Sequence, residues 1–515
     1  MHNQVMRRIL TRVRALFSST EQIKRQVEQI APNLEQLRLR VDAIENSTSA
    51  HSETLSKYEP LLSSILEASR VDAEARRREA DEFKDHIETM AEYRASSAHA
   101  QETLLKTVDH IERLIRGADK ANRYRADSGE IGLIKIHFFF QMPQAWTTWE
   151  TVWDACVSNP LVRPLLVLLP FAHDSVQGDT GARKFLADRA LSFVDFSVYD
   201  LQEQRPDIVF LQNPYDSTRP AALDMWKVRN TGARIAYIPY GLDVGGGSDN
   251  LRWQYDLDVH RYAWRVFARS EAHRRMFSMH CTSGNSHVVV TGHPKIDAII
   301  AATRGRESSI TEQQGRKIIL WTPHFSVEHG GWSTFDRVSE SILGFFEAQP
   351  PGLSLIIRPH PLFFGRLRNI TTSETEAAIR ARFHQPPFIM LHEENEYTDL
   401  FIRSHALMAD AGSFLLEYLP TGKPILYLHN PEGPGLSEAG NFTHAYYTAV
   451  SPDDVRDFLE MVAHDEDPMR EERIAQISQV LHNCDGKAGI TIVEHIVKEV
   501  LREWGLRPNQ HARQE

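Results

Sequence analysis

The spacing of apolar residues changes once along the chain, and the change divides it. Ile23, Val27, Ile30, Leu34, Leu37, Val41 and Ile44 recur at intervals of 4-3-4-3-4-3, the apolar seam of a coiled coil. Leu55, Tyr58, Leu62 and Ile65 resume the seam, and Leu104, Val108, Ile111 and Ile115 close it. No glycine precedes Gly117, and Glu, Arg, Gln, Ala and Ser abound, a composition that favours long helix. Pro32 must kink or split the first helix, and fraying is expected at Asn46–His51. The pattern predicts segmented helices over 1–125 that self-associate; a bundle packed on the chain's own globular part is the alternative. Ahead of the seam, Val5, Ile9, Val13 and Leu16 share an apolar face, and Arg7, Arg8, Arg12 and Arg14 precede the first acid, Glu21. Such a helix can lie in a membrane surface with its arginines near anionic head groups, or serve as an ordinary basic bundle helix.

After a polar link the pattern becomes short apolar runs. Ile134–Phe140, Leu165–Leu169, Asp207–Leu211 and Arg234–Pro239 read as strands, with helices from about Trp146, around Arg183–Ala190 and around Pro220–Asn230. The second half repeats the theme with strands at Val288–Thr291, Ile318–Thr322, Leu353–Arg358, Phe388–Leu391, Ala406–Ala409 and Pro424–Leu428. Strands alternating with helices imply parallel sheets covered on both faces. The fold class expected is α/β, with two doubly wound lobes at 131–290 and 291–505 and a ligand cleft at the strand carboxyl ends. Trp146, Trp149 and Trp153, at helical spacing, are expected in the core rather than as a sugar platform.

Composition narrows the function. A length of 515 residues with 42% hydrophobic content supports a large buried core, and a net charge of −11 argues against a nucleic-acid partner. Cys156, Cys281 and Cys484 are too few and too scattered for a disulfide framework or a zinc site, which fits a reducing cytoplasm. No apolar stretch approaches the ~18–20 residues of a membrane-spanning helix, and no secretory leader is read at the start. HExxH, paired cysteines and GxSxG at a strand–helix junction are all absent, so neither a metal, a cofactor nor a serine-hydrolase site is expected.

The residues just after predicted strands carry the chemistry. Arg358-Pro359-His360-Pro361 places a guanidinium and an imidazole on a proline-stiffened loop, a pair suited to phosphate oxygens. Asp410-Ala411-Gly412-Ser413 opens an apolar helix, Phe414–Leu419, where glycine permits close approach of a diphosphate to free backbone N–H groups. Capping by Asp410 or Ser413 is the plainer use of the same residues. Glu417, a turn further on, can accept hydrogen bonds from ribose hydroxyls. His324, in Thr322-Pro323-His324, can reach the cleft as acid, base or phosphate donor, whereas His293 is expected to shape the interlobe turn. In the first lobe, Tyr240 and Asp243 stand on the acceptor side, beside Gly245-Gly246-Gly247, expected to be a mobile loop.

As an ordered set these segments resemble the CDP-glycerol glycerophosphotransferase family, the teichoic-acid polymerase relatives with a GT-B fold. The resemblance is carried by Gly292-His293-Pro294-Lys295-Ile296-Asp297, Trp321-Thr322-Pro323-His324, Arg358-Pro359-His360-Pro361, Leu407–Tyr418 and Thr421-Gly422-Lys423-Pro424-Ile425. It covers the chain from Ile134 onward, is strongest after Gly292, and leaves out the helical amino terminus. It implies a GT-B fold and a transferase acting on a nucleotide-activated donor, CDP-glycerol or a nucleotide sugar. The acceptor implied is a cell-envelope polymer or a lipid-linked molecule, met at the inner face of the membrane. Arg358 and His360 would correspond to donor-phosphate residues, with Gly412 and Ser413 in place of a serine-rich loop. The family's histidine-glycine-threonine-proline segment, which supplies its base, is replaced here by Tyr240-Gly241-Leu242. A nucleotide-sugar 2-epimerase and an inactive coiled-coil scaffold are the competing readings.

Overall fold

The computed structural model describes residues 134–173, 176–178, 181–305, 315–394, 396–440, 442 and 444–504. All of these lie in one unit, Ile111–Glu515. The expected coiled coil and basic amphipathic start lie outside the described residues.

Two parallel sheets organise the unit. The first contains β1 (Ile134–Phe140), β2 (Val162–Leu168), β5 (Phe193–Asp195), β6 (Ile208–Leu211), β7 (Arg234–Tyr237), β8 (Arg265–Ala268) and β9 (Val288–Val290), ordered β5-β2-β1-β6-β7-β8-β9. A small antiparallel hairpin, β3 (Phe171–His173) with β4 (Val176–Gly178), stands apart. The second sheet contains β10 (Lys317–Thr322), β11 (Leu353–Ile357), β12 (Ile389–Leu391), β13 (Ala406–Ala409), β14 (Ile425–Leu428) and β15 (Tyr447–Ala449), ordered β12-β11-β10-β13-β14-β15. The central strands β6, β7, β11, β13 and β14 are buried at every position, as sheets covered on both faces require.

Each sheet starts near its middle, winds outward and then returns to the other side of its first strand. The order therefore reverses between β1 and β6 in one sheet and between β10 and β13 in the other, and the carboxyl ends of these pairs flank crevices suited to a ligand. The runs at Ile134–Phe140 and Ala406–Ala409 coincide with observed strands. The apolar pattern did not reveal β3, β4, β5, β8 and β15, each of only three or four residues, too few to display a period. Val288–Val290, grouped above with the second half, pairs with β8 and ends the first sheet.

The wall of the first lobe is built from α1 (Glu150–Ser158) and the chain's last described helix, which meet against each other. Trp146, Trp149 and Trp153 are buried there with Phe138 and Phe210, as expected for core residues. The second lobe is joined to them through α2 (Pro294–Gly305), while α3 (Phe335–Glu347) packs on the far side of its sheet. Only one helical turn, α4 (Phe414–Glu417), follows β13, before a 3-10 turn at Leu419–Thr421. It is shorter than the expected Phe414–Leu419 helix because Pro420 has no N–H to continue the ladder.

The closing helix, α5 (Ala488–Glu503), returns across both lobes to the first sheet. Ile492, Val493, Ile496, Val497, Val500 and Leu501 form its buried stripe, each side chain contributing about 1.5–3 kcal/mol. Glu499 and Glu503 pair with Arg265 and Arg234 of the first sheet. Its amino end is held by Asp297 of α2, whose carboxylate accepts from the Ala488 and Gly489 N–H groups at 3.0 and 2.9 Å and from Thr151 Oγ1 of α1 at 2.9 Å. One carboxylate thus caps α5 and joins three helices.

Gly489 is required where α5 crosses α1, because a Cβ there would lie 2.4 Å from the Thr151 carbonyl carbon. Gly489→Ala is expected to destabilise the folded unit by about 1–3 kcal/mol, read as a lower urea midpoint. An unchanged midpoint would contradict this account of the crossing.

Candidate functional site

The switch point of the second sheet gathers the residues singled out after β10, β11 and β13. Its organiser is Asp410, at the end of β13. The Asp410 carboxylate accepts from the His324 N–H at 2.7 Å, the Thr334 N–H at 3.1 Å, Thr334 Oγ1 at 2.6 Å and Ser333 Oγ at 3.4 Å. Rather than capping α4, it pins the loop after β10 and the start of α3 to β13. Burial outweighs these hydrogen bonds and pushes the carboxyl up to about 6.

His324 and His360 face each other across this crevice, ring centres 5.9 Å apart. The Ser326 N–H donates to His324 Nδ1 at 3.1 Å, and the Leu362 N–H donates to His360 Nδ1 at 3.1 Å. With both Nδ1 atoms accepting, the neutral rings carry their proton on Nε2, the donor left for a ligand. Burial, then the neighbouring His360, pushes His324 down to about 3. His360 opens to solvent on one side, but desolvation on the other and the nearby Arg358 charge push it down to about 4. Both are therefore neutral N–H donors near pH 7, not ready proton donors.

Arg358, after β11, is buried above the Tyr397 ring, 5.1 Å from its centre. Its Nη1 donates to His392 Nδ1 at 2.8 Å and to the Glu394 carbonyl at 2.5 Å. Among the described residues its Nε and Nη2 make no hydrogen bond, which leaves one edge of the fork for an anion. Gly412 and Ser413 lie alongside at the start of α4. Their N–H groups likewise donate to no described residue, and a Cβ at Gly412 would meet nothing closer than 3.9 Å. A one-turn helix supplies little macrodipole, so this loop can offer an anion its local N–H groups rather than a helix field.

Glu417 differs from expectation. It is fully buried, with Tyr397 Oη donating to Oε2 at 2.5 Å and Lys295 Nζ to Oε1 at 3.4 Å. In this conformation its carboxylate is turned to an internal pair rather than to a ribose, because a buried carboxylate requires partners that a ligand supplies only intermittently.

The first lobe enters through the loop after β7. Leu242 and Val244 insert into the apolar cluster of the second lobe with Ile296, Leu415 and Leu416. The expected mobile glycine loop is instead clasped: the Gly246 N–H donates to the Gly435 carbonyl at 2.9 Å and the Ser437 N–H to the Val244 carbonyl at 2.7 Å. Arg269, at the end of β8, donates from Nη2 to the carbonyls of Asp243 at 2.8 Å and Ala439 at 3.0 Å, joining the lobes. His293 shapes the turn by bonding the Pro239 carbonyl at 2.8 Å.

Between the two inserted residues, Asp243 points the other way, as alternation along an extended segment requires. Its carboxylate makes no side-chain hydrogen bond among the described residues. Burial pushes it up to about 6, held back by the charges of Arg269 and Lys295. Tyr240 is half-exposed, its Oη 3.3 Å from Tyr215 Oη.

Lys295, Arg269, His392 and Tyr397 had not been assigned a place in the site. His392 follows β12 and obeys the same strand-end rule as the other histidines, so that rule could have found it. Arg269 follows the overlooked β8, and Tyr397 stands at no strand end.

Two doubly wound lobes meeting at their strand carboxyl ends, with donors grouped at one switch point, make this a GT-B-like fold. Residues 242–498, about half of the chain, match the family model described as CDP-Glycerol:Poly(glycerophosphate) glycerophosphotransferase, and over that span the chain belongs to the family. Membership places it among transferases that use a nucleotide-activated donor. No curated protein matches the chain in sequence. Among solved structures, a UDP-N-acetylglucosamine 2-epimerase is similar at 16% identity and a TM-score of 0.50, covering 74% of this chain and 98% of its own, a likeness of fold. The S. aureus MnaA-UDP co-structure is similar at 18% identity and TM-score 0.49, with 73% and 99% covered. The wall teichoic acid polymerase TagF is similar at 12% identity and TM-score 0.49, with 77% and 98% covered. Among the described residues, no helix is long and apolar enough to cross a membrane.

If Asp410 holds the crevice, Asp410→Ala leaves the His324 and Thr334 donors without an acceptor. A loss of at least about 2 kcal/mol is expected in urea unfolding. Stability within about 0.5 kcal/mol of the parent would show that the loops are held by other contacts.

Proposed function

We propose that this protein transfers a glycerol-phosphate or glycosyl group from a nucleotide-diphosphate donor to a polymer or lipid-linked acceptor of the cell envelope. The observation that carries the reading is the convergence of Arg358, His324, His360, Gly412 and Ser413 at the switch point of the second sheet, within the span of the glycerophosphotransferase match. In this proposal 291–505 is the donor side and 131–290 the acceptor side. The helical region 1–125 associates with its own copies and brings the basic start to the membrane face.

The donor's diphosphate lies against the free edge of Arg358, the Nε2–H groups of His324 and His360, and the N–H groups of Gly412 and Ser413. These groups stabilise the negative charge that grows on the nucleotide as it leaves. Glu417 serves from behind by holding Lys295 and Tyr397, so it is a positioning residue. The acceptor oxygen forms the new bond to the transferred group, and the bond to the nucleotide's phosphate oxygen breaks, leaving its electron pair on the nucleotide. Asp243 takes the acceptor proton, the task that the family gives to a histidine and that Tyr240 cannot perform here. Burial keeps the Tyr240 hydroxyl protonated far above neutral pH.

His360→Ala is expected to lower turnover at least ~10²-fold with the fold intact by circular dichroism. Parental turnover would remove His360 from the site. A mass-spectrometric screen of CDP-glycerol and nucleotide sugars, with and without acceptor, tests the function itself. Conversion of a nucleotide sugar without acceptor would replace the proposal with epimerisation, and no calorimetric binding of CDP, UDP or GDP would leave a scaffold.

The base has its own signature. Because Asp243 is raised to about 6 and must be ionised to accept a proton, kcat/KM is expected to rise about tenfold per pH unit below that value and level above it. Asp243→Asn is expected to lose ~10²–10⁴-fold in turnover together with the acidic limb. An unchanged pH profile in that variant would assign the base elsewhere.

A further inference from the structure

The switch point of the first sheet, between β1 and β6, is filled by the protein itself. Gln212 Oε1 accepts from the Gln141 and Met142 N–H groups at 2.8 and 2.7 Å, and Asn213 Nδ2 donates to Gln141 Oε1 at 3.1 Å. Gln141 Nε2 donates to the Thr218 carbonyl at 2.6 Å, and Arg219 Nη1 to the Asn213 carbonyl at 2.8 Å. All of these side chains are buried. A crevice that would take a ligand in another doubly wound sheet is closed here by paired amides.

Beside the plug an aromatic surface emerges. Tyr215 is anchored by the same network, its N–H donating to Asn213 Oδ1 at 2.9 Å and its carbonyl accepting from Thr218 Oγ1 at 2.8 Å. Its ring centre lies 6.3 Å from Tyr240 and 6.0 Å from Trp253, which stands on the helix Ser248–Tyr255. Trp253 is 55% exposed and Tyr240 36%. Three separate segments thus converge on one open aromatic patch beside Asp243. Exposed contiguous aromatic surface of this kind marks a binding site.

We propose that this patch seats a neutral sugar ring of the acceptor, its apolar face on Trp253 and Tyr215 and its hydroxyls toward Tyr240 and Asp243. The proposal rests on the transferase reading and names its acceptor class. Charge decides between a neutral glycan and a polyphosphate chain. Asp243 and Asp249 stand against the exposed Arg252 and the nearby Arg269, whose charge is not cancelled by the backbone carbonyls it bonds, while Lys295 is paired with Glu417. Asp216 is neutralised by Arg219. Such a surface has no net positive charge with which to hold a polyanion, and it offers a polyol both stacking area and hydrogen-bond partners. Tyr and Trp side chains turn about only two bonds, so little side-chain entropy is lost when a ring docks.

The test measures binding on the full chain, so it needs no turnover. Neutral oligosaccharides of glucose and of N-acetylglucosamine, poly(glycerol phosphate), and vesicles of anionic phospholipid are titrated against the parent, Trp253→Ala and Tyr215→Phe. At least one neutral oligosaccharide is expected to bind the parent and to weaken about five- to tenfold in Trp253→Ala, with CDP and UDP binding unchanged and Tyr215→Phe near the parent. The proposal is overturned by tighter binding of poly(glycerol phosphate) than of any neutral glycan, by no glycan binding, or by a Trp253 effect confined to vesicles. Glycan binding with no binding of CDP, UDP or GDP would sustain the patch and remove the transferase reading instead.

Discussion

A buried carboxylate at the end of one strand holds the nucleotide side together. Asp410 draws the loop after β10 and the start of α3 against β13, at the place where the order of the second sheet reverses. Parallel strands on either side of a reversal send their connections in opposite directions, so a crevice opens between them. Asp410 sets its depth, and His324, His360 and Arg358 then face it from neighbouring strand ends. The donors are useful because their other hydrogen-bonding atoms are already engaged: both histidines accept at Nδ1, and Arg358 spends Nη1 on His392 and Glu394. What remains free is oriented, which is the condition for stabilising charge without reorganisation.

The lobes are strapped as well as stacked. Leu242 and Val244 belong to the apolar core of the second lobe although their loop leaves a strand of the first, and Gly246 and Gly440 allow the two backbones to touch. The same strap turns Asp243 away from the apolar cluster. Its raised pKa follows from that placement, because the neighbours that insert beside it also take it out of water. Helix α5 adds a second tie by carrying the chain back to the first sheet, capped by Asp297 from α2. The aspartate of Gly292-His293-Pro294-Lys295-Ile296-Asp297 therefore has a structural task, while the lysine two residues earlier reaches the buried Glu417.

The two sheets wind alike and are used differently. One reversal is left open and lined with N–H donors, and the other is closed by Gln141, Gln212, Asn213 and Thr218. Amides satisfy one another without charge, so they fill a crevice at low electrostatic cost, whereas cations and imidazoles left unpaired keep the open one fit for an anion.

Strand positions, the parallel α/β class and the candidate chemistry after β10, β11 and β13 were legible in the sequence, because local apolar runs and prolines act over a few residues. The ordered segments were also enough to point to the glycerophosphotransferase family. Runs of three or four residues carry no period of their own, so β3, β4, β5, β8 and β15 were missed where β6, β9 and β12 were found, and with β8 went Arg269. Tertiary structure alone decided that Glu417 faces inward, that the glycine run is a clasp, and that Asp410 serves other loops rather than its own helix. Each of these depends on groups far apart in the chain sharing one buried, low-dielectric space, where a polar atom must find a partner wherever the fold has placed one.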